Sequence, residues 1–290
     1  MLYGAPMTST DLLPVPGARI HHQVRGSGPL LLVAQSGEGD ADRGRDLVDH
    51  LAADFTVVTY DRRGLSRSVP DDPSQPVPMA THADDAHRLL TALTDRPALM
   101  LGCSFGAAIG LHLAARRPGA LHTLIAHEPA VLELLPTADR DRTEQELRAV
   151  TRTYREDGWL AAVRRVTAVL GIDPHHQETE PDITAEPITE ARAANFAGFL
   201  TRDIDTILAG GLDAADLDAL RGGPTRIVPA VGRTTPQQVF DRRCAAILAD
   251  GLGATPVEFP GGHNGNLTHP RAFAAQLRAL LPRTEGTSTS

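Results

Sequence analysis

Apolar positions in this chain gather into short runs, and the spacing inside each run predicts its element. Residues 19–26 (RIHHQVRG) alternate with a period of two, as a strand does. In GPLLLVAQSGEG (28–39) an apolar run stops at a glycine-rich loop, which predicts a buried strand and a turn. FTVVTY (55–60), ALML (98–101), LHTLIAHEPAV (121–131), TRIVPAVG (225–232) and TPVEFPG (255–261) predict further strands. Helical spacing lies between them. THADDAHRLLTALT (81–94) puts Ala86, Leu89, Leu90 and Leu93 on one face. AAIGLHLAA, QQVFDRRCAAILADG and the amphipathic HPRAFAAQLRALLP predict three more helices. Strands alternating with helices imply an α/β fold, with a mostly parallel sheet covered on both faces.

From residue 132 to 221 helical patterns dominate, as in TEQELRAVTRTYREDGWLAAVRRVTAVLG and ITEARAANFAGFL. Two domains follow: a core from 1–131 and 222–290, and a helical lid from 132–221. The first dozen residues are expected to be loose, with Met7 an alternative start, and RTEGTSTS is a polar tail.

Composition narrows the function. The 290 residues are 41% hydrophobic, enough for a large core. A net charge of −8 argues against a nucleic-acid partner, which calls for a basic face. All 28 basic residues are arginine, so lysine nucleophiles and Schiff bases are excluded. No run is long enough to span a bilayer, and the N-terminal stretch lacks the pattern of a signal peptide. Cys103 and Cys244 make no disulfide framework. These features predict a reduced, cytoplasmic protein without a membrane partner, and a homo-oligomer is compatible with them.

The strongest chemical signal is GCSFG (102–106), a G-x-S-x-G pattern between a strand and a helix. A serine on that sharp turn is exposed at the sheet edge, with helix N–H groups behind it. Ser104 is the predicted nucleophile; the plainer alternative is a glycine-rich turn with a buried serine. The hydroxyl needs a base. His263, in the loop EFPGGHNG after the last strand, is predicted to lie at the same carboxyl edge. His21 and His22 fall in a strand, His82, His87 and His112 on or near helices, and His269 at the start of the last helix. An oxyanion hole needs two N–H donors. Phe105, after the serine, supplies one, and Ser36 or Gly37 in VAQSGEG the other.

With these residues in place the chain resembles an α/β-hydrolase. YDRRGLSRS (60–68) is similar to that superfamily's D-x-R-G-x-G-x-S segment, except that Leu65-Ser66 stands at its x-G. The resemblance covers nearly the whole chain, and it implies the order Ser, acid, His. The usual acid position after the post-lid strand reads Arg233-Thr234-Thr235, with no carboxylate. Some members carry the acid one strand earlier, which here is Glu128, in the stretch LIAHEPAV beside His127. Asp241, in the following helix, is the rival.

A narrower resemblance is to the zearalenone lactone hydrolases, carried by GCSFGAA, AHEPA, GRTTPQQVFDRRCAAI and FPGGHNGNLTHPRAFA. It implies a Ser-His-Glu lactonase for a resorcylic macrolactone, a role in mycotoxin degradation, and a substrate contact from the lid tryptophan, Trp159. Gln35-Ser36 and Phe105-Gly106 depart from that family's Asp-Gly and Ser-Gly. The resulting expectation is a cofactor-free and metal-free hydrolase of a hydrophobic small-molecule ester or lactone. The alternatives are a generic carboxylesterase, a C–C hydrolase or cofactor-free haloperoxidase, and a ligand receptor on a hydrolase scaffold.

Overall fold

A computed structural model describes residues 8–173 and 176–282. The question of Met1 against Met7 and the polar tail lie outside the described residues. Eight strands form one sheet: β1 (Thr8–Val15), β2 (Ala18–Gly26), β3 (Leu30–Ala34), β4 (Thr56–Tyr60), β5 (Ala98–Cys103), β6 (Leu121–His127), β7 (Arg226–Gly232) and β8 (Val257–Phe259). Their spatial order is β1-β2-β4-β3-β5-β6-β7-β8. The β1/β2 and β2/β4 pairs are antiparallel and the rest are parallel. Every residue of β5 is buried, as a central parallel strand covered on both faces requires.

β1 corrects the expectation of a loose start. Residues 8–12 fall within the dozen expected to be loose, yet Thr8–Val15 pairs along its whole length with β2. An edge strand is held by backbone bonds, and its side chains here are mostly exposed, so no hydrophobic alternation announces it. The Pro16-Gly17 dipeptide that turns the chain was the readable signal.

Helices α1 (Arg45–Leu51), α2 (Met79–Leu93) and α3 (Phe105–Arg116) connect the first strands. Between β6 and β7 come a 3₁₀ turn (Leu132–Leu134), α4 (Thr137–Asp157), α5 (Trp159–Val169), α6 (Glu190–Gly198), a π-helical turn (Phe199–Asp203), α7 (Ile204–Ala209) and α8 (Ala214–Gly222). Described residues 132–222 contain no strand. The run read from sequence as one helical pattern breaks at Gly158 into α4 and α5. The last elements are α9 (Phe240–Gly251), α10 (Gly265–Thr268) and α11 (Pro270–Leu280). Leu47 and Leu51 of α1 pack with Phe273 and Leu277 of α11 on one face of the sheet. Leu89, Ile109 and Leu248, from α2, α3 and α9, pack on the other, in a core that continues into α4, α5, the π-helical turn and α7. No described helix is long and apolar enough to cross a membrane.

The family-like segment after β4 keeps its backbone shape where its sequence departs. Ser66, at a position where the family pattern has glycine, holds a φ of 43°. Such a conformation costs a non-glycine residue about 1–3 kcal/mol. Asn195 of α6 offsets it by accepting from the Ser66 N–H at 2.9 Å, while the Ser66 hydroxyl donates to Asp40 at 2.6 Å.

The carboxyl ends of β3, β5, β6, β7 and β8 lie side by side, and α3 is drawn hard against the end of β3. A Cβ on Gly106 would stand 2.1 Å from the Ala34 carbonyl oxygen and 2.6 Å from its carbon. Backbone cannot yield as a flexible side chain does. Gly106→Ala should therefore lower stability by at least the roughly 1–3 kcal/mol typical of overpacking, read as a shift in the denaturant midpoint. An unchanged midpoint would show that the close approach is not needed.

Candidate active site

Ser104 sits between β5 and α3 with φ 52° and ψ −112°, a conformation seldom held by a residue with a side chain. The turn is over-determined around it. Its N–H donates to the His127 carbonyl at 2.9 Å, and its own carbonyl accepts from Ala107 at 3.0 Å and Ala108 at 3.1 Å. A Cβ on Gly102 would meet Ala107 Cα and the Gly106 oxygen, each at 2.6 Å, so only glycine fits there. The strain lifts the serine side chain out of the strand and toward the sheet edge.

Glu128 follows β6 and has turned out of the strand with φ 46°. Its N–H continues the β6/β7 ladder by donating to Ala230 at 2.9 Å. The side chain is fully buried and both oxygens are engaged. Oε1 accepts from the Gly232 N–H at 2.9 Å, and Oε2 meets His263 Nδ1 at 2.8 Å. Burial alone would raise this carboxyl; the hydrogen bond from His263 and the nearby His127 and His263 rings outweigh it and hold it at about 2.

Asp241, named from sequence as the rival to Glu128, stands at the same ring beside it. It lies in the first turn of α9, as expected for the helix, yet Oδ2 reaches 2.9 Å from His263 Nδ1. It lacks the alignment of a hydrogen bond there, and Oδ1 accepts from the Arg242 N–H at 2.9 Å. Two buried carboxylates against one imidazole cannot both ionise cheaply. Burial pushes Asp241 above its usual range, whereas Glu128 is held below its own. For His263, burial alone would lower the pKa; the charges of Asp241 and Glu128 overcome it and raise it above 6.5. Glu128, Asp241 and His263 are also the one cluster among the described residues close enough to hold a metal ion.

Among the described residues, three other histidines sit against neighbours of their own. His127 is buried edge-on to Phe259 and Phe273, and burial lowers it to about 4. His82 stacks edge-on to Phe105, and burial lowers it too. His269 precedes α11, with Nδ1 at 2.9 Å from the Thr268 hydroxyl.

Ser36, Gly37, Ser104 and His263 line one cavity of about 230 Å³. Its roof comes from the helical segment, with Val163 and Val166 of α5, Leu170 just after it, and Phe196 and Phe199 beyond. Arg43 and Arg192 stand at the same cavity, with Glu38 between them at 3.5 and 3.2 Å. Trp159 is not among the lining residues. It packs on Phe196 with ring centroids 6.2 Å apart, so the tryptophan reaches the cavity through a phenylalanine. Nothing in the periodicity of ITEARAANFAGFL separates Phe196 and Phe199 from core positions.

The matched family model is the alpha/beta hydrolase fold, over residues 29–158. An uncharacterized hydrolase of Bacillus subtilis, YraK, is 38% identical over 93% of this chain and 95% of its own length. The chain belongs to the α/β-hydrolase family. This hydrolase is also similar to a zearalenone hydrolase of Cladophialophora bantiana, at 26% identity over 91% of this chain and 93% of that one. An esterase from Exiguobacterium antarcticum superposes with a TM-score of 0.72 at 16% identity, covering 96% of this hydrolase and 99% of the esterase, a likeness of fold.

The division of charge at Nδ1 sets an expectation for NMR titration of the His263 ring. It should take up its proton above pH 6.5, the ordinary histidine value. Glu128→Gln removes the charge that favours imidazolium, so the midpoint should fall by more than about one unit, the scale of a close opposite charge. Asp241→Asn removes the other carboxyl at Nδ1 and should also lower it. The larger of the two falls identifies the carboxyl that carries more of the charge, and no fall in either variant would show that neither carboxyl acts on the ring.

Proposed function

We propose that this hydrolase is a serine enzyme that cleaves the carboxylic ester of a hydrophobic small molecule, an open ester or a lactone. The carrying observation is that Ser104, on its strained turn, shares a cavity with His263, whose Nδ1 is held by buried Glu128 at 2.8 Å. That contact fixes the tautomer with Nε2 free to accept a proton.

In this reading His263 takes the Ser104 proton as Oγ bonds to the ester carbonyl carbon. The carbonyl electrons move to oxygen, where the N–H of Phe105 and that of Ser36 or Gly37 receive the charge. Collapse breaks the carbon–oxygen bond, and the departing alkoxide takes the proton from His263. In a lactone it stays on the same molecule. Water, deprotonated by His263, then frees the acid and returns the proton to Ser104. Glu128 stabilises imidazolium at both stages, and no step calls for a metal or an organic cofactor.

The finer reading is a resorcylic macrolactone of the zearalenone kind, supported by the relative of that name across nearly the full chain. The cavity favours a second, more compact substrate: 230 Å³ lies below the range of roughly 300–1,000 Å³ common for ligand sites. Both cysteines are free, which supports a reducing compartment such as the cytoplasm.

A fluorophosphonate probe should add to Ser104 with loss of fluoride, seen by intact mass and peptide mapping, and Ser104→Ala should abolish the adduct. An unlabelled wild-type protein would sink the enzyme reading. Short p-nitrophenyl esters should be hydrolysed, with kcat/KM climbing as pH rises through the His263 pKa, because only neutral imidazole accepts the proton. Zearalenone ring opening, followed by chromatography beside them, decides between the two substrates.

A further inference from the structure

Among the described residues Arg62 is the largest side chain buried completely, with 1% of its side chain exposed. A buried guanidinium is costly unless it is paired and hydrogen-bonded, and here Nη1 and Nη2 find partners while Nε has none among the described residues. Its Nη1 donates to the Gln35 carbonyl at 3.2 Å, and its Nη2 donates to the Gly37 carbonyl. The same Nη2 meets Asp203 Oδ2 at 2.6 Å. The guanidinium carbon lies 4.8 Å over the Phe105 ring. One side chain thus touches the loop after β3, the residue after Ser104, and the helical segment.

We propose that Arg62 is the positioning residue of the oxyanion loop, and that Asp203 holds Arg62 in that place, so that seating of the helical segment and alignment of the loop are a single arrangement. This rests on the serine hydrolase reading. A trans peptide points its C=O and N–H in opposite directions. Drawing the Gln35 carbonyl toward Arg62 therefore turns the Ser36 N–H away from it, and Ser36 lines the cavity beside Ser104. Between the two loop candidates, Ser36 is the donor whose direction Arg62 sets. The Gly37 carbonyl, held by the same fork, prevents the loop from rotating back. Among the described residues none of the Ser36, Gly37 and Phe105 N–H groups donates to another protein group, so it is the direction of the Gln35 carbonyl that separates the two loop candidates.

Asp203 closes the π-helical turn that also carries Phe199. Such turns recur at functional sites in helices. The Phe199 ring lies 3.7 Å from where a Cβ on Gly37 would stand, and Arg202 donates to the Gly64 carbonyl at 2.7 Å. The turn is therefore fastened to both loops that meet at Arg62. Lysine could not replace the fork, because one ammonium cannot answer two carbonyls and a carboxylate in that spread.

The test is the rate of Ser104 phosphonylation by a fluorophosphonate, resolved into kinact and KI, for wild type, Arg62→Lys and Asp203→Asn. Far-UV circular dichroism and an unfolding midpoint certify each fold. Asp203→Asn leaves the loop contacts of Arg62 available, so it decides the outcome if Arg62→Lys does not fold. Expected is a fall in kinact of at least about tenfold in each folded variant, toward the roughly 10²–10³ lost with one oxyanion donor, with KI nearly unchanged. Folded variants that label at the wild-type kinact overturn the proposal. So does a loss that lies in KI, the mark of a loosened cavity. A wild type unlabelled at Ser104 overturns the hydrolase reading itself, a result distinct from both.

Discussion

Glu128 holds its charge with no exposed surface, and the candidate site is organised around that burial. An uncompensated carboxylate there would cost several kcal/mol. Compensation comes from two strands at once: the Gly232 N–H at the end of β7 meets one oxygen, and the His263 ring beyond β8 meets the other. The strand register makes this available, since β6 and β7 pair from Thr123↔Arg226 to His127↔Ala230 and the chain then turns at Glu128. Ser104 depends on the same stretch, because its N–H bonds to the His127 carbonyl one residue before the glutamate.

A second acid beside the first alters the chemistry of the ring they share. The charges of Asp241 and Glu128 raise the His263 ring against the effect of burial. The two carboxyls are themselves driven apart, Glu128 below its usual range and Asp241 above it. Glu128 has two good donors for its charge, whereas Asp241 has one aligned N–H, from Arg242. Negative charge is therefore better supported at Glu128 than at Asp241.

The helical segment meets the sheet edge through polar contacts as well as apolar ones. Asp203 reaches Arg62, Asn195 reaches Ser66 and Asp40, and Arg192 reaches Glu38. Buried or half-buried polar groups define one seating more sharply than apolar packing does, since a displaced donor loses its partner. In the proposed reading the segment both covers the ester and orders the loop that receives its charge.

Much of this was legible in one dimension. Strand–turn–helix order around GCSFG places Ser104 at a sheet edge because G-x-S-x-G needs small residues where backbones touch. The loop EFPGGHNG puts His263 at the same edge because parallel strands all end there. The missing carboxylate at Arg233-Thr234-Thr235 directs attention to Glu128. The sequence by itself thus determined the α/β fold and three side chains of the site, through local patterns set by backbone sterics and burial. Tertiary structure alone decided the rest. Asp241 meets His263 across 22 positions of chain, Arg62 meets Asp203 across 141, and Phe196 stands at the cavity where Trp159 was expected. No periodicity encodes such distances, because a side chain's partner depends on how separate elements pack.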